Sequence, residues 1–212
     1  MDKKKYKIFP LMLIPIFAIV FWIISGGNHT EEQKKYIKEL EESRAKNDIE
    51  FRDSSYSPFN YKTKVEFHPL NYFDANFDFI FTGKIVENEI KDTVKVFGTK
   101  GEERKSVRFG VLKLQNEKHK LDLKLYETLA KDGVTKYYSI WFTDKTTNKE
   151  TYGVGRYLNF ELNENPEFIY TVDFNYAYNP YCAYSSEYSC AIPTKEDYLD
   201  IAIEAGEKKF HE

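Results

Sequence analysis

Hydrophobic and polar positions change their period along this chain, and each change predicts an element. An uncharged run from Ile8 to Gly27 follows Lys3, Lys4, Lys5 and Lys7. About 20 such residues suffice to span roughly 30 Å of hydrocarbon as a helix. The run predicts a single N-terminal transmembrane helix, with the lysines cytoplasmic and Trp22 near the far interface. Pro10 and Pro15 fall in its first half, where they kink a helix without excluding insertion. A cleaved signal peptide is the rival reading, although its apolar region is usually only about 7–15 residues.

Next, Tyr36, Ile37 and Leu40 set a narrow apolar edge at helical spacing. Thr30 and Gln33 form a capping box, and Glu31 and Glu32 favour the first turn. Glu31 with Lys35, and Lys38 with Glu42, add opposite charges four apart. These signals predict a short linker helix over 29–47, with too few apolar turns for a coiled-coil seam.

From Asn76 the period becomes two. Phe77, Phe79 and Phe81 alternate with Asp78, Ile80 and Thr82. Further strands are predicted at Thr93–Phe97, Ser106–Leu114, Leu121–Leu125 and Tyr137–Phe142. The turns between them are short and polar, with an Asp-Gly pair at Asp132-Gly133. Short turns join antiparallel neighbours, because parallel crossovers need a dozen residues or more. Leu199, Ile201 and Ile203 also alternate with polar or small residues and predict a final strand, with a helix over 194–205 as the other reading. The expected fold class is mostly β: an antiparallel sheet, barrel or sandwich, behind a transmembrane helix and a linker helix. The expected plan is an anchor at 1–28, a linker at 29–47 and an extracytoplasmic domain at 48–212, periplasmic or on the cell surface.

Composition agrees with a sheet, since aromatics make up 17% of the chain. Lys and Arg number 31 against 34 Asp and Glu, a net charge of −3. That balance excludes the basic excess of a nucleic-acid binder. The expected partners are the membrane and a small molecule or envelope protein.

Candidate chemistry gathers in one run, Thr151–Pro193, which holds both cysteines, Cys182 and Cys190, and many of the tyrosines. Outside the cytoplasm two cysteines usually pair, and a bridge here would close a short loop worth roughly 2–3 kcal/mol in the chain-entropy model. Free buried thiols and a redox or metal role remain the other readings. Zinc would need two more ligands, and none of His29, His68, His119 and His211 lies in the run. No metal and no cofactor is expected.

Arg156, behind Gly153 and Gly155, offers a planar fork for a carboxylate or phosphate. Its structural alternative is an ion pair with Asp173. Arg156, Asp173, Asn175, Tyr178 and Asn179 are the candidate ligand-binding residues, lining a polar pocket with tyrosine walls. Asn179-Pro180 also reads as a plain turn start. His68 and Asp173 are the candidate catalytic groups, with His68 in a Phe-His-Pro turn as its structural reading. No spacing selects an acid–base pair, and no serine nucleophile elbow occurs.

Several motifs resemble one family in order. They are Glu150-Thr151-Tyr152-Gly153-Val154-Gly155-Arg156-Tyr157-Leu158, Asp173-Phe174-Asn175, Ala177-Tyr178-Asn179-Pro180, Cys182-Ala183, Ser189-Cys190, Pro193 and Ala205-Gly206-Glu207-Lys208. Weaker similarity reaches back through Phe67-His68-Pro69 and Ser57-Pro58 to about Asp48. The pattern resembles the domain of unknown function 1684 family, which implies a fold unit and no activity. The functional expectation is a binding module for a small ligand or partner protein, acting through the Thr151–Pro193 run. A hydrolase using Arg156 and Asp173, and a thiol protein using Cys182 and Cys190, are the alternatives.

Overall fold

The computed structural model describes residues 29–130 and 132–211. The described residues divide into two units, with the boundary between Glu41 and Glu42. Helix α1 (Glu31–Asp53) opens the described part. The Thr30 amide donates to Gln33 Oε1 at 3.0 Å, and the Gln33 amide donates to Thr30 Oγ1 at 3.2 Å. This is the capping box read from the sequence.

Two expectations are corrected here. The Ile8–Gly27 run lies outside the described residues, and among the described residues no helix is long and apolar enough to cross a membrane. The transmembrane helix expected in the fold class is thus not found among the described residues. The linker helix also does not stop at residue 47, because α1 continues to Asp53. Its last turn is held by packing: the Phe51 ring lies 5.9 Å from Phe59 and 5.5 Å from Tyr184. Such ring pairs outweigh the weak helix propensity of Asn47 and Asp48.

The described strands are β1 (Ile80–Glu87), β2 (Thr93–Phe97), β3 (Glu103–Gln115), β4 (Lys120–Leu129), β5 (Lys136–Phe142), β6 (Arg156–Leu158) and β7 (Tyr170–Asp173). They form one seven-stranded sheet in the order β6-β5-β4-β3-β1-β7, with β2 also paired to β3. All ladders are antiparallel. The arrangement is a single antiparallel sheet that curves as a half-barrel, neither a closed barrel nor a two-sheet sandwich. A register shift between Arg108 and Gly110 bends β3 against β4.

Period two gives the sheet two different faces. Leu112, Leu125, Ile140 and Phe142 point to one side and are at most 1% exposed. Phe81, Phe174 and Ile203 fill the gaps between them. The first aromatic alternation begins as a 3-10 turn, Phe77–Phe79, because Asn76 Oδ1 accepts from the Asp78 amide.

The expected strand at Leu199–Ile203 is not one. It makes a single parallel bridge, Thr143 to Tyr198, and a few lacing bonds such as Leu199 N to Thr143 O at 2.8 Å. The alternation is real, since Leu199 and Ile203 are buried. However, the carbonyls of Ile203 and Ala205 accept from the Arg156 guanidinium instead of a neighbouring strand.

Candidate functional site

The second face of the sheet, opposite the core, carries a cavity of about 810 Å³. This is within the usual range for small-molecule pockets. In β5, Tyr137, Ser139 and Trp141 line it, while Ile140 and Phe142 at the alternate positions belong to the core. β3 contributes Arg104 and Ser106, β4 contributes Thr128, and β6 contributes Tyr157. Register brings them together: Thr128 faces Tyr137, and Trp141 faces Tyr157. A backbone bridge then sets Tyr178 opposite Tyr157, with N–O distances of 2.9 and 3.0 Å. Gly155 enters β6 at φ +102, where a Cβ would meet the Phe142 carbonyl at 2.5 Å. Only glycine fits that approach.

Trp141 is the centre of the wall. Tyr126 stacks behind its indole at 4.5 Å and 16°, and the Tyr157 ring lies 6.0 Å away. Tyr126 is fixed in turn by its hydroxyl, which donates to Asp197 Oδ1 at 2.7 Å. Trp141 is 5% exposed, and its indole N–H has no hydrogen-bond partner among the described residues. Buried indoles normally find one. Tyr157 donates its hydroxyl to the Ala191 carbonyl at 2.5 Å, and Tyr178 donates to Asn159 Oδ1 at 3.0 Å. Burial, first of all, raises both phenols above their ordinary range, so they remain neutral donors.

Glu207 also lines the cavity and is 2% exposed. Its Oε1 accepts from the Tyr184 hydroxyl at 2.5 Å and from Asn179 Nδ2 at 2.9 Å. Its Oε2 accepts from the Asn179 amide at 3.0 Å. Burial pushes its carboxyl up to about 7, against the opposing pull of these donors and of Arg156. The strand-like approach that seats Glu207 needs Gly206 at φ +77, pressed on the carbonyls of Phe174 and Ala177.

The sequence-predicted residues divide. Tyr178 lines the main cavity, and Asn179 sits behind it as the clamp on Glu207. Arg156 is 1% exposed and faces inward. Its Nη2 donates to Asp144 Oδ2 at 2.8 Å and to the Ile203 carbonyl at 2.9 Å, and its Nη1 donates to the Ala205 carbonyl. Burial lowers its pKa, opposed by Asp144. Its partner is therefore Asp144, not Asp173, and the fork is fully engaged inside the fold. Asp173 Oδ1 caps the 3-10 turn Phe174–Tyr176 by accepting from the Asn175 amide at 2.9 Å. It lines a separate cavity of about 460 Å³ with Phe168, Ile169 and Tyr170. Asn175 is buried and brackets the backbone of Asn76, accepting at 2.8 Å and donating at 2.9 Å. His68 is exposed and stacks on Phe210 at 3.9 Å, lining neither cavity. The two candidate catalytic groups, His68 and Asp173, line no common cavity.

Cys182 and Cys190 are free thiols in the structure. Cys190 lies in the main cavity wall, placed by bonds between Thr99 N and the Cys190 carbonyl and between Ile192 N and the Phe97 carbonyl.

Trp141, Tyr157 and Glu207 are the pocket residues that sequence reasoning missed. The signal for the first was present as Tyr137-x-Ser139-x-Trp141, the second face of a strand already recognised. Glu207 stood in the Ala205-Gly206-Glu207-Lys208 motif but was not singled out, since a lone Glu near the chain end reads as surface.

No curated protein matches this chain. Among solved structures, the chain is similar to the solution NMR structure of an uncharacterized protein from gene locus rrnAC0354 of Haloarcula marismortui. The two are 26% identical with a TM-score of 0.59, over 86% of this chain and 98% of the other. A family model described as "Protein of unknown function (DUF1684)" matches residues 65–208, which contain every described strand, the whole lining of the smaller cavity and the sheet wall of the larger one. On that match over most of its length, the chain belongs to the DUF1684 family.

Proposed function

We propose that the protein is a binding module whose main cavity holds a small neutral molecule with a flat ring and an oxygen acceptor. The observation that carries this reading is the buried, unpartnered indole N–H of Trp141 in a wall of aromatic rings. Rings supply stacking partners, and an orphaned buried donor is satisfied by an acceptor that the ligand brings. Asn159, Ser139 and Thr128 add polar groups that fix orientation, as in other ligand pockets. The site overlaps the expected Thr151–Pro193 run through Tyr157, Tyr178 and Cys190, and extends it onto β3, β4 and β5.

The test is calorimetric titration of the full chain with benzamide, uracil and 2-pyridone as probes, repeated on Trp141→Phe. At least one probe is expected to bind saturably. Losing the indole donor is expected to weaken it about tenfold, near the net worth of one hydrogen bond. Binding by none of the three, or equal binding to Trp141→Phe, would overturn the reading.

A further inference from the structure

The two thiols meet in a way that a pair of inert buried cysteines does not require. The Cys182 amide donates to Cys190 Sγ at 3.2 Å. The Tyr152 hydroxyl reaches the Cys182 carbonyl at 3.3 Å and Cys182 Sγ at 3.9 Å. Cys182 is only half-buried, whereas Cys190 is 9% exposed and meets solvent through the wall of the main cavity. One sulfur is thus reachable and surrounded by donors, and the other is shielded and adjacent.

We propose that Cys182 and Cys190 form a redox-active dithiol that exchanges with low-molecular-weight disulfides, with Cys182 as the attacking sulfur and Cys190 as the resolving one. In the first step the Cys182 thiolate attacks one sulfur of a disulfide RSSR. The R–S–S–R bond breaks, a mixed disulfide forms on Cys182, and RS⁻ leaves and takes a proton. In the second step Cys190 loses its proton to solvent and attacks Cys182 Sγ, expelling the second RS⁻, which is protonated in turn. The dithiol is oxidised by two electrons, and RSSR is reduced to two RSH.

The electrostatics agree with this division of roles. The hydrogen bond from Cys190, followed by those from Tyr152 and Thr99, holds the Cys182 thiol below the ordinary thiol range despite partial burial. The Cys190 thiol is raised, by its hydrogen bond to Cys182 and by burial. A low-pKa, accessible thiol beside a protected resolving thiol is the arrangement that exchange chemistry uses.

The experiment treats the reduced full chain with glutathione disulfide and follows it by intact mass after alkylation. The wild type is expected to lose both alkylatable thiols while retaining no glutathione. Cys190→Ser is expected to trap one glutathione on Cys182, located by peptide mapping. Cys182→Ser is expected to react about tenfold more slowly, because the remaining thiol is shielded and less ionised. Tyr152→Phe leaves both sulfurs in place and is expected to slow the first step at neutral pH while approaching the wild-type rate at alkaline pH. Overturning results are a wild type that keeps both thiols, equal trapping by the two cysteine variants, or a Tyr152→Phe rate unchanged at every pH.

Discussion

The two faces of β5 belong to the same seven residues and behave differently. Ile140 and Phe142 are at most 1% exposed and pack against apolar side chains from β3, β4 and the C-terminal segment. Tyr137, Ser139 and Trp141 face a cavity in which Tyr137 is 57% exposed and the Trp141 N–H is unpartnered. An apolar face is complete once its volume is filled. A face of rings with polar edges is complete only when each buried donor has an acceptor. Arg156 sharpens the contrast, because it is as buried as the core and yet has a carboxylate and backbone carbonyls around it. Burying a polar group is thus routine in this protein when the fold supplies partners. At Trp141 the described residues do not supply one.

The largest expected effect breaks the internal side of the comparison. Arg156→Met strands Asp144, which is 1% exposed on its side chain, and should destabilise by about 3–5 kcal/mol. Chemical denaturation of the variant checks this. An effect below about 1 kcal/mol would return Arg156 to the list of ligand-binding candidates.

Leu125→Ala comes next. It empties a fully buried core position and should cost about 2–5 kcal/mol, with probe binding retained in whatever fraction remains folded. Equal losses of stability and of affinity would mean that the two faces are not separable.

Glu207 gives a pH signature. Its carboxyl is raised from 4.5 to about 7 by burial, with Tyr184, Tyr72 and Arg156 as the titratable groups around it. Below about 4.5 the group is protonated in both folded and unfolded chains, and the favourable neutral form is fully present. Between about 4.5 and 7 the unfolded chain ionises first, so stability falls as pH rises, by about 3 kcal/mol in all. Glu207→Gln carries no such group, and the stability difference between wild type and variant should shift by that amount across the window. A difference that is flat with pH would contradict the assignment.

Much of this was legible in the chain, and the failures have physical causes. Strands at Thr93–Phe97 and Tyr137–Phe142 followed from period two, and the Asp132-Gly133 turn formed as read, with Gly133 at φ +71. The misread strand at Leu199–Ile203 shows that alternation reports extended backbone with one buried face, while pairing depends on where the carbonyls find donors. Arg156 was singled out for its planar fork, as a ligand-binding residue or the partner of Asp173, and the fold pairs it with Asp144 instead. Its partner Asp144 sits in a Thr-rich turn that offered no pattern, and Asp173 was the more visible carboxylate. Tyr178 was found because the run around it was dense in rings. Glu207 was not, because a buried acid is recognised by its donors, Tyr184 and Asn179, which come from more than 20 residues away in sequence.

The smallest stability effect belongs to the rim. Tyr137→Ala, at an exposed position, should change stability by no more than about 0.5 kcal/mol. It should still weaken ring binding by about 0.5–1.5 kcal/mol through lost stacking. Paired denaturation and titration separate the two quantities.

The central claim is that the Trp141 N–H waits for a ligand's acceptor. A proton–nitrogen NMR spectrum of the Trp22→Phe chain contains one indole signal, since the sequence has two tryptophans. On titration with benzamide, uracil or 2-pyridone, that signal should move downfield and saturate together with calorimetric binding, as expected for a donor gaining a partner. A signal that stays fixed while a probe binds, or that already lies at the position of a strongly hydrogen-bonded indole in the free protein, would contradict the account.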